Sequence, residues 1–335
     1  MSRSRIVMFI VVCALALALA VGTVIRGTHQ AKSERRPTAA SAQDQVLQLG
    51  TVRTGPHVVF RSTAFGPTYG RLAAVPLDRP DGPRAVGPMS CERVYATPER
   101  GLCLTNSGGV LPTYHAVVLD AALSPVRKVS LSGGPSRARL SPDSDLFAVT
   151  VFVAGHSYLQ SGFSTLTTVS NAVTGKQLAN LEDFRVLRDG EPYRSVDLNM
   201  WGVTFVDSDR FFATAASRGK TWLVEGSLSA RELRTIRENA ECPSVSPDGT
   251  RIAYKHRLGL VRWRLHVLDL KTGRDVELAE SRSVDDQVEW LDDARILYGL
   301  PREGSAETDV WVVPADGTGS PAVFIPYAWS PSVVR

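Results

Sequence analysis

Aromatic residues make up only 7% of this 335-residue chain, and all six tryptophans lie beyond residue 200. His-Glu-x-x-His and Cys-x-x-Cys are both missing, and the six histidines are scattered at 29, 57, 115, 156, 256 and 266. That spacing excludes the common helical and ribbon zinc sites. Gly-x-Ser-x-Gly is missing too. Gly155-His156-Ser157-Tyr158-Leu159 and Gly162-Phe163-Ser164-Thr165-Leu166 come nearest, and both lack the final glycine that a nucleophile elbow requires. No segment after residue 50 carries a long helical period, which excludes a helical bundle or a βαβ fold. Positive charge is also scarce where it would matter. The net charge is +4, but Arg3, Arg5, Arg26, Lys32, Arg35 and Arg36 against Glu34 give the first forty residues +5, leaving the rest at −1. A near-neutral body has no electrostatic footprint for nucleic acid, so no nucleic-acid partner is expected.

What is present begins with Ile6 to Ile25, twenty residues without a charge, flanked by Arg3, Arg5 and Arg26. At the helical rise this stretch spans a bilayer core of roughly 30 Å. Two readings compete. Ala18-Leu19-Ala20 fits signal-peptide cleavage and a secreted product. The apolar run continues past it through Val21, Val24 and Ile25, which favours an uncleaved signal anchor, a single-pass transmembrane helix over 6–25. Either way the body is exported. The polar residues 26–48 have no apolar period and read as a linker. Of the four cysteines, Cys13 lies in the apolar stretch. Cys91 and Cys103 are close enough to form a disulfide across one hairpin in an oxidising compartment, with two buried thiols as the alternative. Cys242 reads as a buried small hydrophobe.

From residue 49 onward, short apolar runs alternate with Gly, Pro, Asp and Ser turns. One run recurs after a tight turn: His57–Phe60, Gly101–Leu104, Leu146–Val149, Arg210–Ala213, Arg251–Tyr254 and Arg295–Tyr298, at intervals of 44, 45, 64, 41 and 44. A period of roughly 40–50 residues with short strands marks propeller blades. Ser141-Pro142-Asp143-Ser144 and Ser246-Pro247-Asp248-Gly249 precede the run. Pro presets the first corner, Asp bonds its own backbone and Gly accepts positive φ. A second turn places Asp or Asn four residues before Gly, at Asp78–Gly82, Asn171–Gly175 and Asp269–Gly273. The long interval holds an extra segment over 183–198 and a polar excursion within 154–163. The first repeat lacks a first strand. The last residues, Tyr327 to Val333, look like a first strand running into a Ser-Pro turn. The C-terminal strand is therefore predicted to complete the first blade and close a six-bladed, all-β ring over 49–335, a monomer in itself.

The segment Ser246-Pro247-Asp248-Gly249-Thr250-Arg251-Ile252-Ala253-Tyr254, followed by Leu265 to Arg274, resembles a repeat of the TolB-like, WD-like propellers. That resemblance implies an extracytoplasmic six-bladed propeller that binds proteins or peptides. The family's periplasmic member has a separate N-terminal domain for which these residues leave only a linker, so its Tol-system partners are not carried over.

On the repeat alignment, first-strand ends line the axial funnel and form a candidate binding mouth. Arg93 and Arg137 supply cations, Asn199, Cys242 and Glu289 polar groups, and Trp201, Trp290, Tyr327 and Trp329 aromatic anchors. Trp290 and Trp329 occupy equivalent repeat positions, so packing between blades is the alternative for them. Glu241, Asn199 and Glu289 also resemble the calcium set of tunnel lactonases. This keeps a hydrolytic or lyase-type enzyme as the alternative to a non-catalytic scaffold without a cofactor. A sensor would need an output module that the few residues before the anchor do not provide.

Overall fold

The computed structural model describes residues 49–109, 111–153, 164–259 and 261–335. The apolar stretch 6–25, the linker 26–48 and the excursion 154–163 lie outside the described residues. No helix among the described residues is long and apolar enough to cross a membrane.

Six antiparallel blades form the molecule. After a single helical turn, α1 (Leu49–Val52), blade I contains β1 (His57–Ser62), β2 (Arg71–Pro76) and β3 (Ala85–Ser90), with the C-terminal β26 (Ala328–Val334) innermost. Blade II is β4 (Arg93–Ala96), β5 (Gly101–Asn106), β6 (Tyr114–Leu119) and β7 (Pro125–Leu131). Blade III is β8 (Gly134–Leu140), β9 (Leu146–Val153), β10 (Ser164–Asn171) and β11 (Gln177–Asn180). Blade IV runs β14 (Asn199–Phe205), β15 (Arg210–Ser217), β16 (Lys220–Ser227) and β17 (Glu232–Glu238), extended outward by β12 (Arg185–Arg188) and β13 (Glu191–Tyr193). Blade V is β18 (Glu241–Val245), β19 (Arg251–Gly259), β20 (Arg262–Asp269) and β21 (Asp275–Glu277). Blade VI is β22 (Glu289–Asp292), β23 (Arg295–Pro301), β24 (Thr308–Pro314) and β25 (Ala322–Ile325). Each of the six recurrent apolar runs is the second strand of its blade.

The ring closes where the missing first strand predicted it. β26 pairs antiparallel with β1, setting His57 against Val334, Val58 against Val333 and Val59 against Ser332. Buried Arg84 secures the entry to this strand by donating to the Pro326 and Tyr327 carbonyls at 2.8 and 3.2 Å. One detail differs from the sequence expectation. Ser330-Pro331-Ser332 is not a turn but lies inside β26, where Ser330 takes φ +55 at a bulge. The bulge aims both serines at blade II. Ser330 Oγ accepts from the Val94 N–H at 3.1 Å and donates to its carbonyl at 3.0 Å, and Ser332 Oγ does the same for Ala96 at 2.9 Å each way.

The turns follow their residue chemistry. In blade V the Ser246 hydroxyl donates to Asp248 at 2.5 Å, Asp248 accepts from the Thr250 N–H at 3.0 Å, and Gly249 sits at φ +71. Blade III repeats the turn with Ser144 at φ +64 in the glycine position. Gly175 and Gly273, at φ +73 and +71, donate back to Asn171 and Asp269, as the spacing predicts. Asp78–Gly82 does not match them, because the Gly82 N–H bonds the Arg79 carbonyl, a tighter turn. Segment 183–198 becomes an edge extension. β12 adds parallel to β17, and Phe184 and Val186 join the core between blades III and IV. Cys91 and Cys103 are disulfide-bonded, and Cys242 is free and buried.

Antiparallel order gives the two ends of the ring different characters. First-to-second and third-to-fourth turns lie at one end, the turn face. Second-to-third loops and blade-to-blade connections lie at the other, the loop face. Residues 53–56 lead into the turn-face end of β1, so the chain enters the ring from that side.

Closure and the disulfide can each be tested. Deleting residues 328–335 should leave β1 as an exposed inner edge and lower the denaturant midpoint steeply. A truncated chain that unfolds at the full-length midpoint would contradict ring closure. Replacing Cys91 and Cys103 by Ser should cost about 3 kcal/mol for a loop this short. Non-reducing peptide mapping that finds both thiols alkylatable would remove the bond.

Candidate functional site

The innermost strands leave one edge facing the axis, where no further strand can pair. Side chains from across the ring fill that space. On the loop-face side, Arg93 on β4 reaches past blade I to Asp286, donating to Oδ1 at 2.8 Å, and lies over the Trp329 ring at 4.8 Å. Asp286 also accepts from the Gly299 N–H at 3.1 Å. Gln287 places its Nε2 3.2, 3.0 and 2.9 Å from the carbonyls of Gly202, Val203 and Pro243, on blades IV and V. Lys255, with 3% of its side chain exposed, donates to Asp285 at 2.5 Å and sits 4.6 Å from the Trp263 ring. Arg137 stands 3.7 Å from the same carboxylate. Partial desolvation in the concave mouth pushes Asp285 up, but Lys255, Arg137 and Arg93 outweigh it and hold the group below the usual carboxylate range.

Deeper along the axis is a second layer. Arg139, two residues beyond Arg137 on β8, reaches the opposite blade, donating to the Val288 carbonyl at 2.8 Å and lying 3.6 Å from Glu289. Burial raises Glu289 despite Arg139. Arg139 also stacks over Tyr95 at 4.6 Å, and burial with the nearby Glu289 raises that phenol. A cavity of about 300 Å³ opens from this layer to the turn face.

The sequence-predicted residues thus divide. Arg93, Arg137 and Trp329 meet at the loop-face mouth, and Glu289 belongs to the inner layer. Trp290 donates from Nε1 to the Ser244 carbonyl of blade V at 2.8 Å, and Trp329 packs on Gly299 of blade VI. Both tryptophans therefore serve the blade-to-blade packing that their equivalent repeat positions suggested. Tyr327 lies under Arg302 at 4.0 Å. Asn199 is turned to blade III, accepting from the Thr165 N–H at 3.0 Å, and Trp201 is buried on β14. The calcium-like set is dispersed. Glu241 is held by Arg257 at 2.6 Å and the Trp263 Nε1 at 3.1 Å, while Asn199 and Glu289 have the partners just described. Among the described residues no group of three or more His, Cys, Asp or Glu is placed to hold a metal ion. Missing from the sequence-derived set are Lys255, Asp285, Asp286 and Gln287. Lys255 was visible as a charge inside an apolar second strand, and the others sit on the irregular connection 278–288.

Off the axis, a groove of about 510 Å³ crosses the loop face of blade IV and contains Glu182, which burial pushes up to about 7. His256 and His266, on adjacent strands of blade V, have ring centroids 4.7 Å apart. Asn239 is clamped to the Arg257 backbone through both its amide atoms, so its Nδ2 faces His256 Nε2 at 3.1 Å as a donor. With that donor facing it, His256 Nε2 serves as an acceptor, which favours the neutral ring. Burial, then His266 and Arg237, lower its pKa against the opposing carboxylates of Asp275 and Glu277.

A histidine lowered on folding binds protons more readily in the unfolded chain. Stability should therefore fall as pH drops below the ordinary value of 6.5. Glu182, raised on folding, acts in the opposite sense over part of the same window. The measurement is accordingly the difference in melting temperature between wild type and His256→Gln from pH 7.5 to 5. The variant should lose part of the acid-side decline, and parallel curves would refute the lowered His256 pKa.

No family model matches the chain, and no curated protein sequence does. Solved structures do. TolB from Acinetobacter baumannii aligns with a TM-score of 0.55 at 14% identity, over 84% of this chain and 67% of that one. A TolB-type protein from Agrobacterium tumefaciens gives 0.51 at 11% identity, over 82% and 89%. A puromycin-hydrolyzing peptidase from Mycobacterium tuberculosis gives 0.51 at 12% identity, but the chain spans only 45% of its length. Identities this low speak to fold alone. With its blade count, strand order and C-terminal closing strand, the chain is a TolB-like six-bladed β-propeller in fold.

Proposed function

We propose that this propeller is a non-catalytic binding scaffold on the outer side of a membrane, held there by residues 6–25 and the linker 26–48, and that it receives a protein or peptide partner on its loop face. The unequal distribution of exposed apolar side chains carries this reading. Among the described residues, four of the five most exposed large apolar side chains, Leu111, Val196, Leu258 and Val261, project from loop-face segments, and the fifth, Val126, lies on the outer strand β7. An exposed apolar rim around a polar centre suits protein recognition. The turn face carries instead the hydroxyl–carboxylate turns of blades III and V, Ser141 with Asp143 and Ser246 with Asp248.

Chain entry from the turn face supports the same arrangement, since a tether on that side leaves the loop face directed away from it. The Cys91–Cys103 bond supports an oxidising compartment, which also suits a secreted form cleaved after Ala20. The enzymatic alternative, a metal-dependent hydrolase or lyase working in the tunnel, finds less support. Its candidate ligands Glu241, Asn199 and Glu289 are each committed to different partners.

Photo-crosslinking residues placed singly at Leu111, Val261 and Val173 test the reading in native cells. Leu111 and Val261 lie on the loop face, while Val173 is an exposed control on the turn face. Discrete adducts are expected from the first two only. Adducts from Val173 alone, or from none of the three, would overturn it.

A further inference from the structure

The loop-face mouth holds three cations, Arg93, Arg137 and Lys255, against two carboxylates, Asp285 and Asp286. Asp286 is buried and fully engaged by Arg93 and the N–H groups of Gln287 and Gly299. Asp285 is engaged by Lys255. The surplus falls on Arg137.

Arg137 is poorly served for a guanidinium with only 12% of its side chain exposed. Its NH1 donates to its neighbour's carbonyl and hydroxyl, Ser136 O and Oγ, at 3.0 and 3.3 Å. Its Nε is buried without a partner. Its NH2 stands 3.7 Å from Asp285, beyond hydrogen-bond reach. The Cys242 sulfur, a weak acceptor, is its remaining hydrogen-bond partner, and Asp286 and Asp285 offset the burial that would otherwise lower its pKa. A buried guanidinium ordinarily forks onto a carboxylate with two parallel bonds. Asp285 cannot supply them while Lys255 holds it. Yet Asp285 is 62% exposed and sits on the connection 278–288 rather than on a strand, so it can turn outward without breaking sheet pairing.

Resting on the binding-scaffold reading, we infer that the loop-face mouth is a carboxylate-binding site centred on Arg137, weakly occupied from within by Asp285, and that its ligand is an acidic peptide segment. The two resident aspartates oppose a dianion such as phosphate more strongly than a single carboxylate. The exposed Tyr69, Leu258 and Val261 on the same face provide apolar contacts for other peptide residues, which a free small anion would not use.

The test is fluorescence anisotropy of a labelled hexaglutamate peptide with the full-length chain in detergent micelles, using hexaglutamine as the neutral control and inorganic phosphate as competitor. Wild type should bind hexaglutamate in preference to hexaglutamine. Arg137→Gln should weaken binding by about 10-fold or more, the scale of a lost charge-assisted bond. Arg137→Lys should recover only part of it, because an ammonium cannot fork. Asp285→Asn removes no packed group and should tighten binding several-fold, so the proposal stays testable even if Arg137→Gln fails to fold. Binding indifferent to Asp285→Asn, or absent in wild type, would overturn the site. Phosphate displacing the peptide at low concentration would overturn the carboxylate assignment. Should loop-face crosslinks persist in Arg137→Gln while neither wild type nor any variant binds hexaglutamate, only this inference falls. Absence of loop-face crosslinks in wild type would sink the scaffold reading instead.

Discussion

Every blade in this ring ends, at the axis, in a strand with one edge that no further strand can cover. Backbone groups left unpaired in a closed interior are costly. The chain meets this constraint with side chains, and much of its inner architecture follows. Ser330 and Ser332 of blade I satisfy Val94 and Ala96 of blade II. Thr167 of blade III donates to the Met200 carbonyl of blade IV at 2.6 Å, and Thr214 of blade IV accepts from the Cys242 N–H of blade V at 2.8 Å. Gln287 gathers three carbonyls from two blades, and Arg139 reaches across the ring to Val288. Left-handed residues at Gly202, Cys242 and Ser330 bulge the inner strands so that these contacts are reached.

The same constraint accounts for the charge along the axis. Long polar side chains are the ones that can span from blade to blade, and once buried they need opposite charges nearby. Arg93 with Asp286 and Arg139 with Glu289 satisfy that need across the ring. The loop-face end is less balanced, with Arg137 left half-served. Imbalance is tolerable there because the mouth opens to water through Asp285. The turn face carries little of this tension, since its Ser–Asp turns close their own hydrogen bonds locally.

Much of the fold was legible in the sequence because blades are local units. A second strand needs only its own apolar run after a tight turn to be recognisable, and two of the six also carry the Ser-Pro-Asp turn before it. Closure was legible from a missing strand at one end and a surplus strand at the other. Three features were not. Ser330-Pro331 looked like the turn motif, yet a bulge dictated by blade II keeps it within a strand. Segment 183–198 breaks the repeat without a strand signature of its own, yet an open edge on β17 recruits Arg185–Arg188 as β12. Asp78–Gly82 shares the spacing of the long turn but closes through Arg79. In each case the deciding partner is remote in sequence or is a backbone group with no residue signature.

The candidate site was legible by class and not by membership. Repeat alignment placed Arg93, Arg137 and Trp329 at the axis because first-strand position is periodic. It could not place Asp285, Asp286 and Gln287, which belong to an aperiodic connection, nor pair Arg93 with a residue nearly two hundred positions away. The sequence by itself determined the blade, its turns and the number of blades, since these depend on short-range patterning and on strand count. Only the tertiary structure decided which charges neutralise one another across the axis and which is left over. Those pairings are made by ring closure, which brings opposite blades to within a side chain's reach.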